Sequence, residues 1–258
     1  QELEWERTFG GPNSDLGYEV QQTTDGGFII VGTTFGDVYL IKTDSSGNKL
    51  WERIYIDSSD DYGASVQQTS DSGYIIAGST DRFGNSDVYL IKTNSAGNRI
   101  WNKTLGTRAS DWANSIEKTS DGGYILVGCS DPYRIDTYVV KTDSFGNHLW
   151  NRTFESQDNN DCGHSIQQTS DGGYIITGWV SVGIYSTIYL RKIDSLGNLL
   201  WEKTYLGGSN YYSYGYSVQQ TIDDGYIVSG STGPYANLWP YLIKTDSLGD
   251  VEWTKIFS

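Results

Sequence analysis

The 258-residue chain contains no methionine, only four prolines, two histidines and two cysteines. The missing methionine and the start at Gln1 favour a processed chain over a primary translation product. No run of eighteen apolar residues occurs, so no transmembrane span is predicted. Basic residues are also scarce, with 18 Lys and Arg against 32 Asp and Glu. The net charge of −14 argues against nucleic acids and anionic membranes as partners, because clustered cations bind phosphate groups.

A repeat of about fifty residues dominates the sequence. Its marker is a tryptophan, which recurs as Trp5, Trp51, Trp101, Trp150, Trp201 and Trp253. Successive tryptophans are separated by an alternating apolar stretch such as GYSVQQT, an Asp-Gly turn, a β-branched run such as YIIAG, a variable loop, and YLIKTD with a Gly-Asn turn. We interpret these segments as four strands per repeat, named a, b, c and d, with the tryptophan in strand d.

Four-stranded units repeated five times predict an all-β chain that folds as a single five-bladed β-propeller over residues 1–258. The repeats span about 5–50, 51–100, 101–149, 150–200 and 201–258. A linear solenoid is the alternative, but solenoids need distinct caps, whereas both ends here carry a Trp strand. EWERTF and VEWTKIF give six d strands for five a–b–c sets. We therefore expect one terminal Trp strand to close the ring and the other to be surplus.

The segment KTDSSGNKLWE at 42–52 resembles the tryptophan-docking motif of quinoprotein-type propellers. The whole repeat also resembles tandem propeller repeats of exported and surface proteins of archaea and bacteria, and this resemblance covers the full chain. It implies a propeller architecture and an extracellular or cell-surface location. The cofactor-cradling residues of quinoprotein enzymes have no match in the sequence, so no cofactor is predicted. No metal site is predicted either, because no oxygen-rich series with metal-loop spacing accompanies the Asp-Gly turns.

Length variation is confined to two of the four connections in each repeat. The spacing from the aliphatic residue of strand a to the glycine that ends strand b is always 12, and from the strand-c lysine to the next tryptophan it is always 9. The b–c spacing instead varies from 10 to 14 and the d–a spacing from 15 to 17. Because strands alternate in direction, the d–a and b–c loops share one end of the blades, here called the variable face. The Asp-Gly turns at the other end are predicted to be scaffold, since tight hairpins need positive φ and local capping.

The variable face is rich in aromatic residues, which are candidate ligand contacts. They are Trp112, Trp179 and Trp239 outside the repeat pattern, Tyr62 and Tyr214 near the start of strand a, and Phe35, Phe83, Tyr133, Tyr185 and Tyr235 in the b–c loops. Asn114 and His164 occupy equivalent strand-a positions and are expected near the mouth of the central channel. Acids of the d–a loops, including Asp61 and Asp161, lie beside them. Such surfaces suit sugars and also protein partners, although the rings could instead only pack between blades.

Two further features are compatible with an exported protein. Cys129 follows strand b of the third repeat and Cys162 precedes strand a of the fourth, so a propeller allows a disulfide between them. Spacing alone does not fix their separation. Asn102 and Asn151 lie in Asn-X-Thr sequons on d strands and are candidate N-glycosylation sites.

These observations predict a non-catalytic extracellular or cell-surface module that recognises a glycan or a protein through the variable face. The alternative is a structural subunit that self-assembles through the surplus terminal strand. An enzyme is the least favoured class. Propeller glycosidases need two acids across a sugar, whereas Glu19 and Glu117 have a strand parity opposite to that of His164. No nucleophile elbow, phosphate loop or zinc spacing is readable, so no catalytic residue is predicted.

Overall fold

A computed structural model describes residues 5–11, 14–57, 60–82, 84–131, 134–155, 159–208, 211–234 and 236–257. These residues form twenty β-strands. The strands assemble into five four-stranded antiparallel sheets, which match the blades of a five-bladed β-propeller and confirm the predicted fold class. Across the described ranges, the structure contains no helix of the length and hydropathy that a membrane span requires.

Each sheet contains four consecutive strands in chain order. The first sheet contains β1 (Asp15–Gln22), β2 (Phe28–Thr34), β3 (Asp37–Thr43) and β4 (Lys49–Tyr55). The second contains β5 (Asp61–Gln68), β6 (Tyr74–Arg82), β7 (Asn85–Thr93) and β8 (Arg99–Leu105), and the third β9 (Ser110–Lys118), β10 (Tyr124–Asp131), β11 (Asp136–Thr142) and β12 (His148–Phe154). The fourth contains β13 (Asp161–Gln168), β14 (Tyr174–Val182), β15 (Tyr185–Ile193) and β16 (Leu199–Tyr205). The fifth contains β17 (Tyr212–Gln220), β18 (Tyr226–Gly233), β19 (Trp239–Thr245) and β20 (Val251–Ile256).

The chain divides into two compact units, Gln1–Lys118 and Thr119–Ser258. The first unit holds β1–β9 and the second unit holds β10–β20. That the 258 residues form a single domain stays a prediction, and so does closure of the ring by a terminal strand.

The Asp-Gly turns are held by a set of contacts that recurs in the repeats. Asp25 Oδ1 accepts hydrogen bonds from Thr23 Oγ1 at 2.6 Å and from the Gly27 amide at 3.0 Å, and Lys42 Nζ lies 3.0 Å from its other oxygen. The aligned ion pairs are Lys92–Asp71, Lys141–Asp121, Lys192–Asp171 and Lys244–Asp223. A side chain on Gly27 would collide with the Thr43 carbonyl oxygen and come within 2.6 Å of Lys42 Nζ. Turn geometry and the ion pair with lysine therefore explain the recurring Asp-Gly sequence without a bound ligand.

Three of the repeated tryptophans, Trp51, Trp150 and Trp201, each pack against a tyrosine of the next sheet. Trp51 of β4 lies against Tyr74 of β6, with 5.8 Å between the ring centroids. Trp5 precedes the first strand and lies 5.9 Å from Phe28 in a similar tilted arrangement. At the other terminus, β20 is an edge strand of the fifth sheet, and its Trp253 is 46% exposed. Trp5 thus takes on the first sheet the position that Trp51 takes on the second.

The first sheet leaves an apolar face exposed. Val20 of β1 is 61% exposed, whereas the aligned residues Val66, Ile116, Ile166 and Val218 are at most 4% exposed. A cavity of about 580 Å³ lies over this face, lined by Trp5, Val20, Phe28 and Ile30 among others. The same sequence position is therefore core in the other repeats and surface in the first.

Two cross-links join the third and fourth sheets within the second unit. Cys129 of β10 and Cys162 of β13 form a disulfide with 5.1 Å between their Cα atoms. Thr137 of β11 also bonds through its hydroxyl group to the Tyr189 hydroxyl group of β15 at 2.8 Å. The disulfide and this buried hydrogen bond tie successive repeats together.

Arg191 of β15 stands where the other repeats have Ile41, Ile91, Val140 and Ile243. Its side chain is buried, with Nε 2.6 Å from Glu202 Oε2 and Nη2 3.4 Å from Asp161 Oδ2. The guanidinium carbon lies 4.6 Å from the ring centroids of both Phe154 and Tyr189. The fourth repeat therefore replaces an aliphatic core position with a paired, ring-flanked cation.

The two sequon asparagines lie on outer strands and make side-chain hydrogen bonds. Asn102 Nδ2 of β8 donates to the Tyr89 hydroxyl group at 2.9 Å. Asn151 Nδ2 of β12 donates to the Tyr138 hydroxyl group at 2.8 Å. Their use as glycosylation sites stays a prediction.

Candidate functional site

A succession of four rings runs across the fourth and fifth sheets of the second unit. We call it the aromatic row; it consists of Trp179 of β14, Tyr214 and Tyr216 of β17, and His164 of β13. Trp179 meets Tyr214 edge-on with 6.3 Å between centroids, and Tyr214 lies 6.5 Å from Tyr216. Tyr216 lies 5.7 Å from the His164 imidazole, with an interplanar angle of 11°. Three of these residues, all but Tyr216, were candidate contacts from sequence.

A β-bulge recurs at one position of strand a and displays a residue that varies between repeats. His164 is the extra residue between the paired Gly163 and Ser165, and Tyr216 is the extra residue in β17. Tyr18 and Ala64 occupy the same position in the first two sheets. A bulge re-aims its side chain out of the regular strand alternation. In these four sheets the same backbone feature thus presents tyrosine, alanine or histidine.

The glycines beside the bulge allow the two strands to approach each other. Gly215 of β17 pairs with Gly230 of β18, and a side chain on Gly230 would collide with the carbonyl oxygen of Tyr214. Glycine is therefore needed at position 230, where β17 and β18 approach closely. The neighbouring Tyr216 side chain is 51% exposed.

His164 is oriented by the adjacent sheet. Its Nδ1 lies 2.9 Å from the carbonyl oxygen of Gly215. Because a carbonyl oxygen only accepts, Nδ1 carries the hydrogen, and Nε2 of the neutral ring is an acceptor. Burial lowers the pKa of His164, which favours this neutral form.

Two further ring pairs lie in the same unit, near the ends of the strands that carry the variable loops. Trp239 lies 6.0 Å from Tyr211, and Tyr185 lies 5.4 Å from Tyr212. Sequence reasoning selected Trp239 and Tyr185 but missed their partners and Tyr216. The signal was the run YYSYGY at 211–216, which has no counterpart in the other repeats.

In the first unit the predicted aromatics form a smaller group. Tyr62 of β5 contacts Tyr18 of β1, with 4.5 Å between the centroids. Trp112 and Asn114 are half-buried on β9, and Phe35 is 69% exposed in the β2–β3 turn with φ of 52°. The other three candidates, Phe83, Tyr133 and Tyr235, lie outside the described residues.

The loop acids Asp61 and Asp161 accept hydrogen bonds from backbone amides. Asp61 and Asp161 are at most 1% exposed. Asp61 Oδ2 accepts a hydrogen bond from the Asp57 amide at 3.0 Å, and Asp161 Oδ1 accepts one from the Thr137 amide at 2.6 Å. Acids with this burial and these partners cap loops and do not face a ligand.

Glu19, considered above as a catalytic acid, is also engaged in the structure. Its Oε2 accepts hydrogen bonds from Ser65 Oγ at 2.7 Å and from the Val66 amide at 2.6 Å. Burial raises the pKa of Glu19, while these two hydrogen bonds oppose the rise. Glu19 therefore links the first two sheets.

No protein-family model matches the sequence, and no curated protein is significantly similar to it. Solved structures share its fold. A protein of unknown function from Dyadobacter fermentans has a TM-score of 0.64 at 9% identity, covering 95% of this chain and 83% of that one. The Neurospora crassa Pan2 WD40 domain has a TM-score of 0.59 at 9% identity, covering 94% and 66%. The endo-arabinase from Bacteroides thetaiotaomicron has a TM-score of 0.53 at 12% identity, covering 89% and 92%.

The prediction that this chain is not an enzyme is corrected by these comparisons. The endo-arabinase is an enzyme, and it shares the propeller fold over most of both chains. That prediction was wrong because it relied on the lack of a readable catalytic motif. A propeller brings together single residues from different sheets, so catalytic groups need no local motif. Catalysis is therefore compatible with this fold.

Proposed function

We propose that the protein binds carbohydrate outside the cell, through the aromatic row of the second unit. The observation that carries the proposal is the presentation of His164 and Tyr216 on bulges, next to Tyr214 and Trp179. Partly exposed aromatic faces stack on the C–H faces of sugar rings, and the hydroxyl and imidazole groups can bond sugar hydroxyls. The Cys129–Cys162 disulfide supports an extracellular location.

Solved structures of this fold include a protein named as an endo-arabinase, so the fold accommodates a sugar polymer elsewhere. In this chain the support comes from the row itself, because the identity of 12% relates the folds only. The test therefore measures both glycan binding and glycan hydrolysis.

The test is a glycan-array screen of the purified chain beside a Trp179→Ala, Tyr214→Ala double variant. A Tyr62→Ala variant in the first unit is the matched control, and circular dichroism checks that all three fold. We expect binding to a defined sugar class that the double variant loses and the control keeps. Release of reducing ends from each bound glycan measures turnover. Equal binding by all three proteins, or none by any, would overturn the proposal.

A second candidate function is self-assembly, which the exposed apolar face of the first sheet favours. At the aligned position of β5, Val66 belongs to a buried cluster with Ile29 and Val31 of the first sheet, so this position packs against a neighbouring sheet. A second copy of this chain would supply such a sheet for Val20, which is exposed. Sedimentation across a concentration series tests this candidate. A mass that stays that of the monomer at every concentration contradicts it.

A further inference from the structure

The aromatic row offers successive contacts at similar intervals. Its neighbouring centroids are 6.3, 6.5 and 5.7 Å apart. The planes of Tyr214 and Tyr216 differ by 13°, and those of Tyr216 and His164 by 11°. An extended chain of rings can contact such a row unit by unit, whereas a single compact ring uses only one member. The geometry therefore favours an elongated ligand.

Among the described residues, Tyr216 and His164 of the row make hydrogen bonds to uncharged groups. Ser231 Oγ donates to the Tyr216 hydroxyl group at 3.2 Å, and the Gly215 carbonyl oxygen holds the His164 ring. With its pKa lowered by burial, His164 is neutral at physiological pH. The net charge of −14 adds a repulsion against polyanions. These electrostatics disfavour acidic glycans.

His164 also supplies a directional contact. Since Nδ1 donates to Gly215, the remaining nitrogen, Nε2, is an acceptor. Tyr216 stacks beside the same imidazole. A sugar placed over Tyr216 would therefore have an acceptor for one of its hydroxyl groups at the end of the row.

We propose that the aromatic row binds a linear, uncharged oligosaccharide across at least three consecutive sugar residues, with His164 Nε2 accepting a hydrogen bond from one ligand hydroxyl group. This inference rests on the proposed carbohydrate binding. It adds the length of the ligand, its charge class and a residue that determines specificity.

The experiment is isothermal titration calorimetry of the intact protein with neutral gluco-, xylo-, manno- and galacto-oligosaccharides, from mono- to hexasaccharide. A galacturonate series of the same lengths is the charged counterpart. We expect the affinity in one neutral series to rise about two- to tenfold with each added sugar up to the trisaccharide or tetrasaccharide, as each ring adds a stacking contact, and then to level off. The galacturonates should bind at least about tenfold more weakly than the neutral series.

Four variants, one of them a control, assign the effect to the row. Tyr216→Ala should abolish the gain in affinity beyond the monosaccharide, because it interrupts the row. Tyr216→Phe keeps the ring and should preserve the gain. Tyr62→Ala, in the first unit, should behave like the unchanged protein. His164→Phe keeps a ring but removes the acceptor, so the affinity for deoxy analogues lacking the bonded hydroxyl should equal that for the parent sugar.

The outcomes separate this inference from the proposed function. If no sugar of any length binds, the proposed function fails. Sugar binding that is independent of length, stronger for galacturonates or insensitive to Tyr216→Ala overturns the inference and leaves carbohydrate binding intact. If His164→Phe retains discrimination against every deoxy analogue, the assigned acceptor is wrong.

Discussion

Arg191 Nε donates a 2.6 Å hydrogen bond to Glu202 Oε2 across neighbouring strands of the fourth sheet. The same guanidinium reaches Asp161, which is fully buried at the start of β13. In the other repeats the position of Arg191 is aliphatic. The fourth sheet therefore contains a buried ion pair at a position where the other four sheets have an aliphatic side chain.

Replacing Arg191 should be far more costly than replacing its aligned counterpart. Arg191→Met leaves the Asp161 carboxylate buried with its charge uncompensated, and we expect a loss of about 3–5 kcal/mol in the free energy of unfolding. Ile91→Met in the second sheet exchanges residues of similar volume and should cost less than about 1.5 kcal/mol. Urea denaturation measures both. Similar losses for the two variants would show that the ion pair is not what makes this position critical.

Acid should destabilise the protein through its turn aspartates. Hydrogen bonds and the neighbouring lysine hold the pKa of Asp25 at about 2, and the pKa values of Asp71, Asp121 and Asp171 are likewise about 2. The folded pKa lies below the ordinary 3.8, so the stabilisation is present above 3.8 and is lost as the pH falls towards 2. The free energy of unfolding should therefore fall across this window.

Urea denaturation at several pH values between about 2 and 5 checks this window. Asp71→Asn should reduce the slope of the free energy of unfolding against pH, because one of the perturbed carboxylates is gone. An unchanged slope in Asp71→Asn would contradict the assignment.

The repeat pattern predicted much of this structure because its signals are local. The Asp-Gly turns, the strand-c lysines and the period of the tryptophans depend on residues close in sequence, and the five four-stranded sheets follow from them. The lysine anchoring of Asp25 is less local, since Lys42 reaches it from a strand 17 residues away.

The candidate site was only partly predictable. Trp179 was found because it departs from the repeat, whereas Tyr214 and His164 were found at recurring positions of strand a. Tyr216 aligns with Asn114 and His164 but was not chosen, although it belongs to the run YYSYGY at 211–216 that sets this repeat apart. Nothing in the repeat pattern indicated that Asp61 and Asp161 would be buried caps. The Asp57 amide lies in a d–a loop of variable length, and the Thr137 amide lies on β11, 24 residues before Asp161.

Ligand binding should depend on pH through His164. Protonation of the imidazole removes the Nε2 acceptor, because both ring nitrogens of the cation are donors. Burial lowers the pKa of His164 from 6.5, so the neutral ring persists below that value. The affinity for the sugar found in the screen should be constant from neutral pH down to 6.5 and fall only in more acidic buffer. Titration calorimetry at stepped pH measures this, and His164→Phe should remove the dependence.

One face of the first sheet is exposed at a position that is core in the other repeats. Val66 is fully buried and Val20 is 61% exposed, although the two residues occupy aligned positions of β5 and β1. Val66→Ala should lower the free energy of unfolding by about 2 kcal/mol, because it opens a cavity in packed core. Val20→Ala should change it by less than about 0.5 kcal/mol. Urea denaturation of the matched pair at low protein concentration makes the comparison. Equal losses would mean that Val20 is covered in solution, and repeating the measurement at high concentration would then show whether a second copy of the chain provides the cover.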